Sequence, residues 1–300
     1  MSPKNPAASA YDRLLKLSKE SGRRFDELLL YYGIERLLFR LSQSEHASKF
    51  VLKGALMFHV WNPKAARATR DIDFLGRMDN ELDSVAEVVR EICSIEIEDG
   101  LMFDPKSVKA ERIKEDAEYE GVRVSFAGKL ATAKVSMQID VGFGDEVHPR
   151  AKVIEYPALL KDEPPRLKGY PRESVIAEKF QAMLQLGELN SRMKDFYDIW
   201  FLAKGFDFDG AVLAKSIQTT FENRNTEIES IPIALTLEFA KRDDKQTQWT
   251  AFLKRSRLGS VPNEFSEIVK FLSGFLLPIS ESLNDGDVFK SHWKAAGPWQ

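Results

Sequence analysis

The stretch Arg67-Ala68-Thr69-Arg70-Asp71-Ile72-Asp73-Phe74 decides how the rest of the chain is read. Arg70 to Leu75 has the pattern of a β-strand. Side chains two apart on a strand share a face. Asp71 and Asp73 therefore stand side by side, with Ile72 turned into the core. Two carboxylates this close repel unless something neutralises them. A divalent cation does so and gains hard oxygen ligands. Magnesium, or manganese in its place, takes carboxylate and phosphate oxygens and keeps several waters. The other reading is a solvated strand end, or a pair neutralised by Arg67 and Arg70, and Asp-x-Asp alone does not choose between them.

Asp140 adds weight to the metal. It sits in Met137-Gln138-Ile139-Asp140-Val141, flanked by apolar residues in a strand expected to be central. A carboxylate is costly to bury there unpaired, so it either joins a metal site or forms a salt bridge to a lysine or arginine. With Asp71 and Asp73 it makes an acidic triad able to hold two metals. Upstream, Lys53-Gly54 precedes an apolar helix, Ala55 to Trp61. A glycine turn at a helix N-terminus lets backbone amides approach a phosphate, and the helix dipole favours the anion; an ordinary turn is the alternative.

Working outward, residues 9–21 and 25–42 read as amphipathic helices and 81–93 as a third. Phe50 to Lys53 is a short strand or helix end. From about Ser107 to Phe143 the apolar residues alternate, which predicts strands, antiparallel because their turns are short, with Ala127-Gly128-Lys129 as one turn. Past Pro157 the pattern is mostly helical, at about 172–187, 193–204, 209–222, 245–257 and 263–275. The expected fold class is α+β: a mixed sheet with flanking helices, then a helical C-terminal half. The expected domains are residues 1–160 and 161–300, the second completing the active site.

The chain has 300 residues, 43% apolar and 30% charged, the balance of a soluble globular protein. A formal charge of −3 excludes a strongly basic DNA-coating protein. One cysteine, Cys93, excludes an internal disulfide framework, and four scattered histidines have no zinc-ligand spacing. The N-terminus lacks a secretory pattern, and no apolar run approaches the roughly 20 residues that span a bilayer. The expectation is a cytoplasmic chain with no membrane partner.

The order strand, glycine turn, helix, Asp-x-Asp strand, third aspartate strand resembles the nucleotidyltransferase fold of the DNA polymerase β type. Val51-Leu52-Lys53-Gly54-Ala55-Leu56 followed by Arg67 to Phe74 is similar to the AbiEii/AbiGii toxin family within it. That family's Lys-Gly-Gly is Lys53-Gly54-Ala55 here, without the second glycine. Two downstream stretches, Glu178-Lys179 and Lys194-Asp195-Phe196-Tyr197-Asp198, also resemble family motifs. From spacing alone, Asp195 and Asp198 share a helix face, where Arg192 and Lys194 could pair with them locally, or Lys179 could reach them from the preceding helix.

The resemblance implies more than the spacing does. It gives Lys179 and an aspartate catalytic or nucleotide-contacting roles, without choosing between Asp195 and Asp198. It implies nucleotide binding around Lys53, Gly54, Thr69 and Arg67, with Asp71, Asp73 and Asp140 as metal ligands. It implies transfer of a nucleoside monophosphate from a nucleoside triphosphate to an acceptor hydroxyl, with the tRNA 3′ end as the expected target. A toxin–antitoxin or phage-defence role and a cognate antitoxin encoded nearby follow with it. A non-enzymatic nucleotide-binding module, protein nucleotidylation, and a sugar-nucleotide Asp-x-Asp site remain alternatives. The aromatic run Phe196, Tyr197, Trp200, Phe201 reads as helix core in preference to a base-stacking platform.

Overall fold

A computed structural model describes residues 5–62, 69–116, 119–256, 258 and 260–300. The chain forms two compact units, residues 1–144 with 152–169, and 145–151 with 170–300.

The first unit begins with two helices. α1 (Pro6–Ser21) starts earlier than its apolar pattern indicates, because the Asn5 side chain caps the Ala8 amide and Pro6 occupies the first turn. α2 (Phe25–Gln43) is buried over most of its length, from Leu28 to Leu41. Then come β1 (Phe50–Lys53), α3 (Leu56–Trp61), β2 (Ile72–Gly76), α4 (Leu82–Ser94), β3 (Leu101–Asp116), β4 (Tyr119–Leu130), β5 (Ala133–Phe143), β6 (Lys152–Glu155) and β7 (Arg166–Gly169). The strands form one seven-stranded mixed sheet in the order β3-β4-β5-β2-β1-β7-β6. β1 runs antiparallel to β2, and β2 parallel to β5, so β2 and β5 lie at the centre. Fully buried Arg40 on α2 grips Asp99 through two bonds, 2.7 and 3.1 Å, and ties the helix to the turn before β3.

Three expectations are corrected here. The strand expected from Arg70 begins at Ile72, so it carries Asp73 while Asp71 lies in the approach to it. Ala127-Gly128-Lys129 is not a turn but part of β4; the hairpin turns at Ala131-Thr132, where Leu130 pairs with Ala133. Gly128 is there for space: a Cβ on it would stand 3.0 Å from both Phe103 and Val135. And β7 falls past Pro157, where the chain was read as mostly helical.

The second unit is helical: α5 (Arg172–Leu186), α6 (Met193–Gly205), α7 (Gly210–Asn223), α8 (Leu237–Ala240), α9 (Asp243–Ser256) and α10 (Phe265–Asn284), with a two-stranded ribbon of β8 (Phe208–Asp209) and β9 (His292–Trp293). α10 runs past its expected end because buried Leu276 and Ile279 continue its apolar stripe across Pro278. The segment 145–151 belongs to this unit through buried polar contacts. Arg224 donates to Asp145 at 2.9 Å, and the Ser174 and Ser216 hydroxyls both donate to the His148 carbonyl. No helix among the described residues is long and apolar enough to cross a membrane.

Candidate active site

Register builds the site in the first unit. Lys53 on β1 pairs with Asp73 on β2, Asp73 with Asp140 on β5, Asp140 with Arg123 on β4, and Arg123 with Glu111 on β3. Directly paired residues project to the same face. One row of charge therefore crosses five strands: Lys53, Asp73, Asp140, Arg123, Glu111. It runs from buried Lys53 to exposed Glu111, with buried Asp140 at its middle. Asp71 is exposed and stands one residue before β2.

Gly54 turns the chain out of β1. Its φ of +69° is a left-handed conformation, and a Cβ there would lie 1.9 Å from Asp73 Oδ2. Glycine is needed both for the turn and for the backbone to lie against the carboxylate. Ala55 has ordinary helical dihedrals, φ −70° and ψ −21°, so the missing second glycine costs the backbone nothing. α3 has only six residues, too few to carry the helix dipole expected from the sequence; the turn's own backbone is what remains for an anion.

Thr69 is held from both sides. Its amide donates to the Tyr31 hydroxyl at 3.1 Å, and its own hydroxyl accepts from the Asp71 amide at 3.3 Å. The threonine thus shapes the turn that presents Asp71. Tyr31 lies on α2, which shows no recognisable motif, and His59 of α3 is 3.2 Å from the same hydroxyl. Arg67 lies outside the described residues.

Asp140 meets the arginine that the sequence reading left unnamed. Arg123 Nε and a terminal guanidinium nitrogen each stand 2.8 Å from one Asp140 oxygen. The bond to Asp140, and then the nearby charges of Asp140 and Asp71, hold the guanidinium above the usual arginine range. The carboxylates of Asp71, Asp73 and Asp140 do not close as a set to within 4.8 Å of one another. Among the described residues the group that does is Glu45, His46 and Glu91, where the His46 ring sits 2.5 Å from Glu91. The three aspartates still offer only hard oxygen donors, which suit magnesium or manganese.

In the second unit, α5 and α6 bring Lys179 to both aspartates. Its ammonium is 2.6 Å from Asp195 and 2.9 Å from Asp198, and both carboxylates are buried. Arg192 also pairs with Asp195, at 2.8 Å, so a local partner expected from spacing is present as well. Phe196, Tyr197 and Trp200 are buried core residues. Cys93 is buried too, and burial pushes its thiol up to about 12.

Arg123 and Tyr31 are the residues that sequence reasoning missed. For Arg123 a signal exists: Val122-Arg123-Val124 carries a charge between buried valines, as Ile139-Asp140-Val141 does. For Tyr31 there is none beyond its place on an apolar helix.

A family model described as Nucleotidyl transferase AbiEii toxin, Type IV TA system, matches residues 36–270. No curated protein matches the chain. Among solved structures, JHP933 from Helicobacter pylori is similar at 15% identity and a TM-score of 0.46, over 84% of this chain and 90% of that one. A second H. pylori protein, described as a candidate nucleotidyltransferase, is similar at 14% identity and a TM-score of 0.45, over 84% and 92%. Likeness this distant carries no argument about activity.

Proposed function

Because the chain belongs to the AbiEii family of nucleotidyl transferase toxins of Type IV toxin–antitoxin systems, we propose that it transfers a nucleoside monophosphate from a nucleoside triphosphate to a hydroxyl at the tRNA 3′ end. The family makes it a nucleotidyltransferase and implies a cognate antitoxin. The donor, the acceptor and the metal are this proposal's own.

The observation that carries it is the pairing of Asp73 with Asp140 at the centre of the sheet, with the Gly54 backbone packed against Asp73. In this reading Asp71, Asp73 and Asp140 hold magnesium or manganese, which when bound would neutralise charge on the α-phosphate. The turn at Lys53-Gly54 receives the phosphates, with Arg67 and the Thr69 hydroxyl as further contacts. The acceptor oxygen forms a bond to the α-phosphorus as the bond to the bridging oxygen breaks. Pyrophosphate leaves, and the hydroxyl proton passes to Asp140. The resemblance gives Lys179, which Asp195 and Asp198 hold, a catalytic or nucleotide-contacting role, and that role is part of this proposal.

The competing readings lose their motivation. A non-enzymatic module rested on the altered Lys-Gly-Gly, and Ala55 does not strain that turn. A sugar-nucleotide site needs a parallel βαβ unit around Asp-x-Asp, and β1 and β2 are antiparallel.

The test incubates purified protein with total RNA, magnesium and each labelled triphosphate in turn. A labelled band of tRNA size is expected. The double variant Asp71→Ala, Asp73→Ala should lose transfer by about 100-fold or more, the scale of removing transition-state charge stabilisation. Full transfer by that variant would overturn the catalytic assignment, and a labelled protein band would make the acceptor a protein.

A further inference from the structure

Arg123 has no part in the reaction as written above, yet it takes both oxygens of a carboxylate that the reaction needs. The two-pronged guanidinium–carboxylate pair is the strong form of this contact. A divalent cation brought to the same oxygens meets a fixed positive charge a few ångströms away, and the two repel. Arg123 is not locked in place. Its side chain is 35% exposed, and its neighbour across the sheet on the other side is Glu111, exposed and of opposite charge. The long side chain can leave Asp140 without entering the core.

We propose that Arg123 is an exchangeable counter-ion of Asp140. It neutralises Asp140 while the site is empty, competes with the divalent metal for that carboxylate, and on displacement contacts the anionic triphosphate that arrives with the metal. Metal and nucleotide binding are thereby made interdependent: each is weak alone, because only the pair together frees Asp140 and gives Arg123 a new partner. This rests on the assignment of Asp71, Asp73 and Asp140 as metal ligands.

The test is manganese binding to the full chain, by calorimetry, with and without a non-hydrolysable triphosphate. Without nucleotide, Arg123→Gln should bind manganese about tenfold more tightly than the unaltered protein, the size expected for losing a half-exposed charge-assisted pair. Arg123→Lys, which keeps the charge but loses the fork, should fall between the two. Adding the triphosphate should tighten manganese binding several-fold in the unaltered protein and much less in Arg123→Gln. Adding Asp140→Asn to Arg123→Gln should cancel the gain. Manganese affinity that is unchanged or weaker in Arg123→Gln, with its thermal unfolding unaltered, would make Arg123 a permanent structural partner and end the proposal. Manganese binding that survives Asp71→Asn with Asp73→Asn would instead overturn the metal-site reading beneath it, and no binding to any of these proteins would overturn both.

Discussion

Gly54 meets two demands at once, a left-handed backbone and contact with the Asp73 carboxylate. Gly54→Ala should therefore cost about 1–2 kcal/mol from the backbone alone, with more for the displaced carboxylate, and should abolish nucleotide transfer. Ala55→Gly should leave transfer intact, since nothing at Ala55 depends on a positive φ. Urea unfolding and a transfer assay on the two variants separate these outcomes. At this scale the face of Asp73 was legible from its place in the strand, whereas the pairing with Asp71 was not, because the strand begins only at Ile72. The partner of Asp140 was not legible either. Leu130 pairs with Ala133, and counting back seven residues along each strand reaches Arg123 and Asp140. A turn centred on Gly128 shifts that count and sets a different residue opposite Asp140.

Between elements, buried charge makes two predictions. Lys179 joins α5 to α6 through two buried aspartates. Lys179→Met should destabilise the protein on the order of 3 kcal/mol, because it removes the cation and leaves the carboxylates in the interior; denaturant unfolding at neutral pH measures it. A loss of transfer without any loss of stability would show that the lysine is not structurally engaged. The second concerns Glu35 on α2, which accepts from the Leu159 amide at 2.6 Å and pairs with Arg36 at 2.7 Å. Burial pushes its carboxyl up to about 7; the Arg36 charge and the Leu159 amide oppose that, while Asp162 adds to it. The native state thus holds this proton more tightly than the unfolded chain does. Its stabilising effect is full below about pH 4.5 and falls away as pH rises to about 7, a loss on the order of 3 kcal/mol. Unfolding of Glu35→Gln across pH 4 to 8 should lack that decline relative to the unaltered protein; parallel profiles would refute it. The sequence announced α2 and the aspartate helix by periodicity, but which buried charges meet across elements depends on packing that periodicity does not encode.

For the whole molecule, the chain passes between its units three times, at 144/145, 151/152 and 169/170. β7 lies beside β1 and has β6 on its other edge. A cut after residue 160 therefore keeps β6 and discards β7, leaving the β1 edge bare. A fragment of residues 1–169 should unfold at a temperature several degrees above one of residues 1–160, and the shorter one should aggregate through the open strand edge. Calorimetry and light scattering on the two fragments check this. By itself the sequence determined what depends on near neighbours along the chain. The two classes of element and the shared face of Asp195 and Asp198 follow from fixed periodicities of 2.0 and 3.6 residues. Tertiary structure alone decided that β1 and β2 are antiparallel, that Asp73 stands beside Asp140, that Arg123 holds Asp140, and that Lys179 reaches both of its aspartates. Those are choices of register and packing between segments distant in the chain. Periodicity says which face a residue occupies; only the pairing of strands and helices says what it meets there.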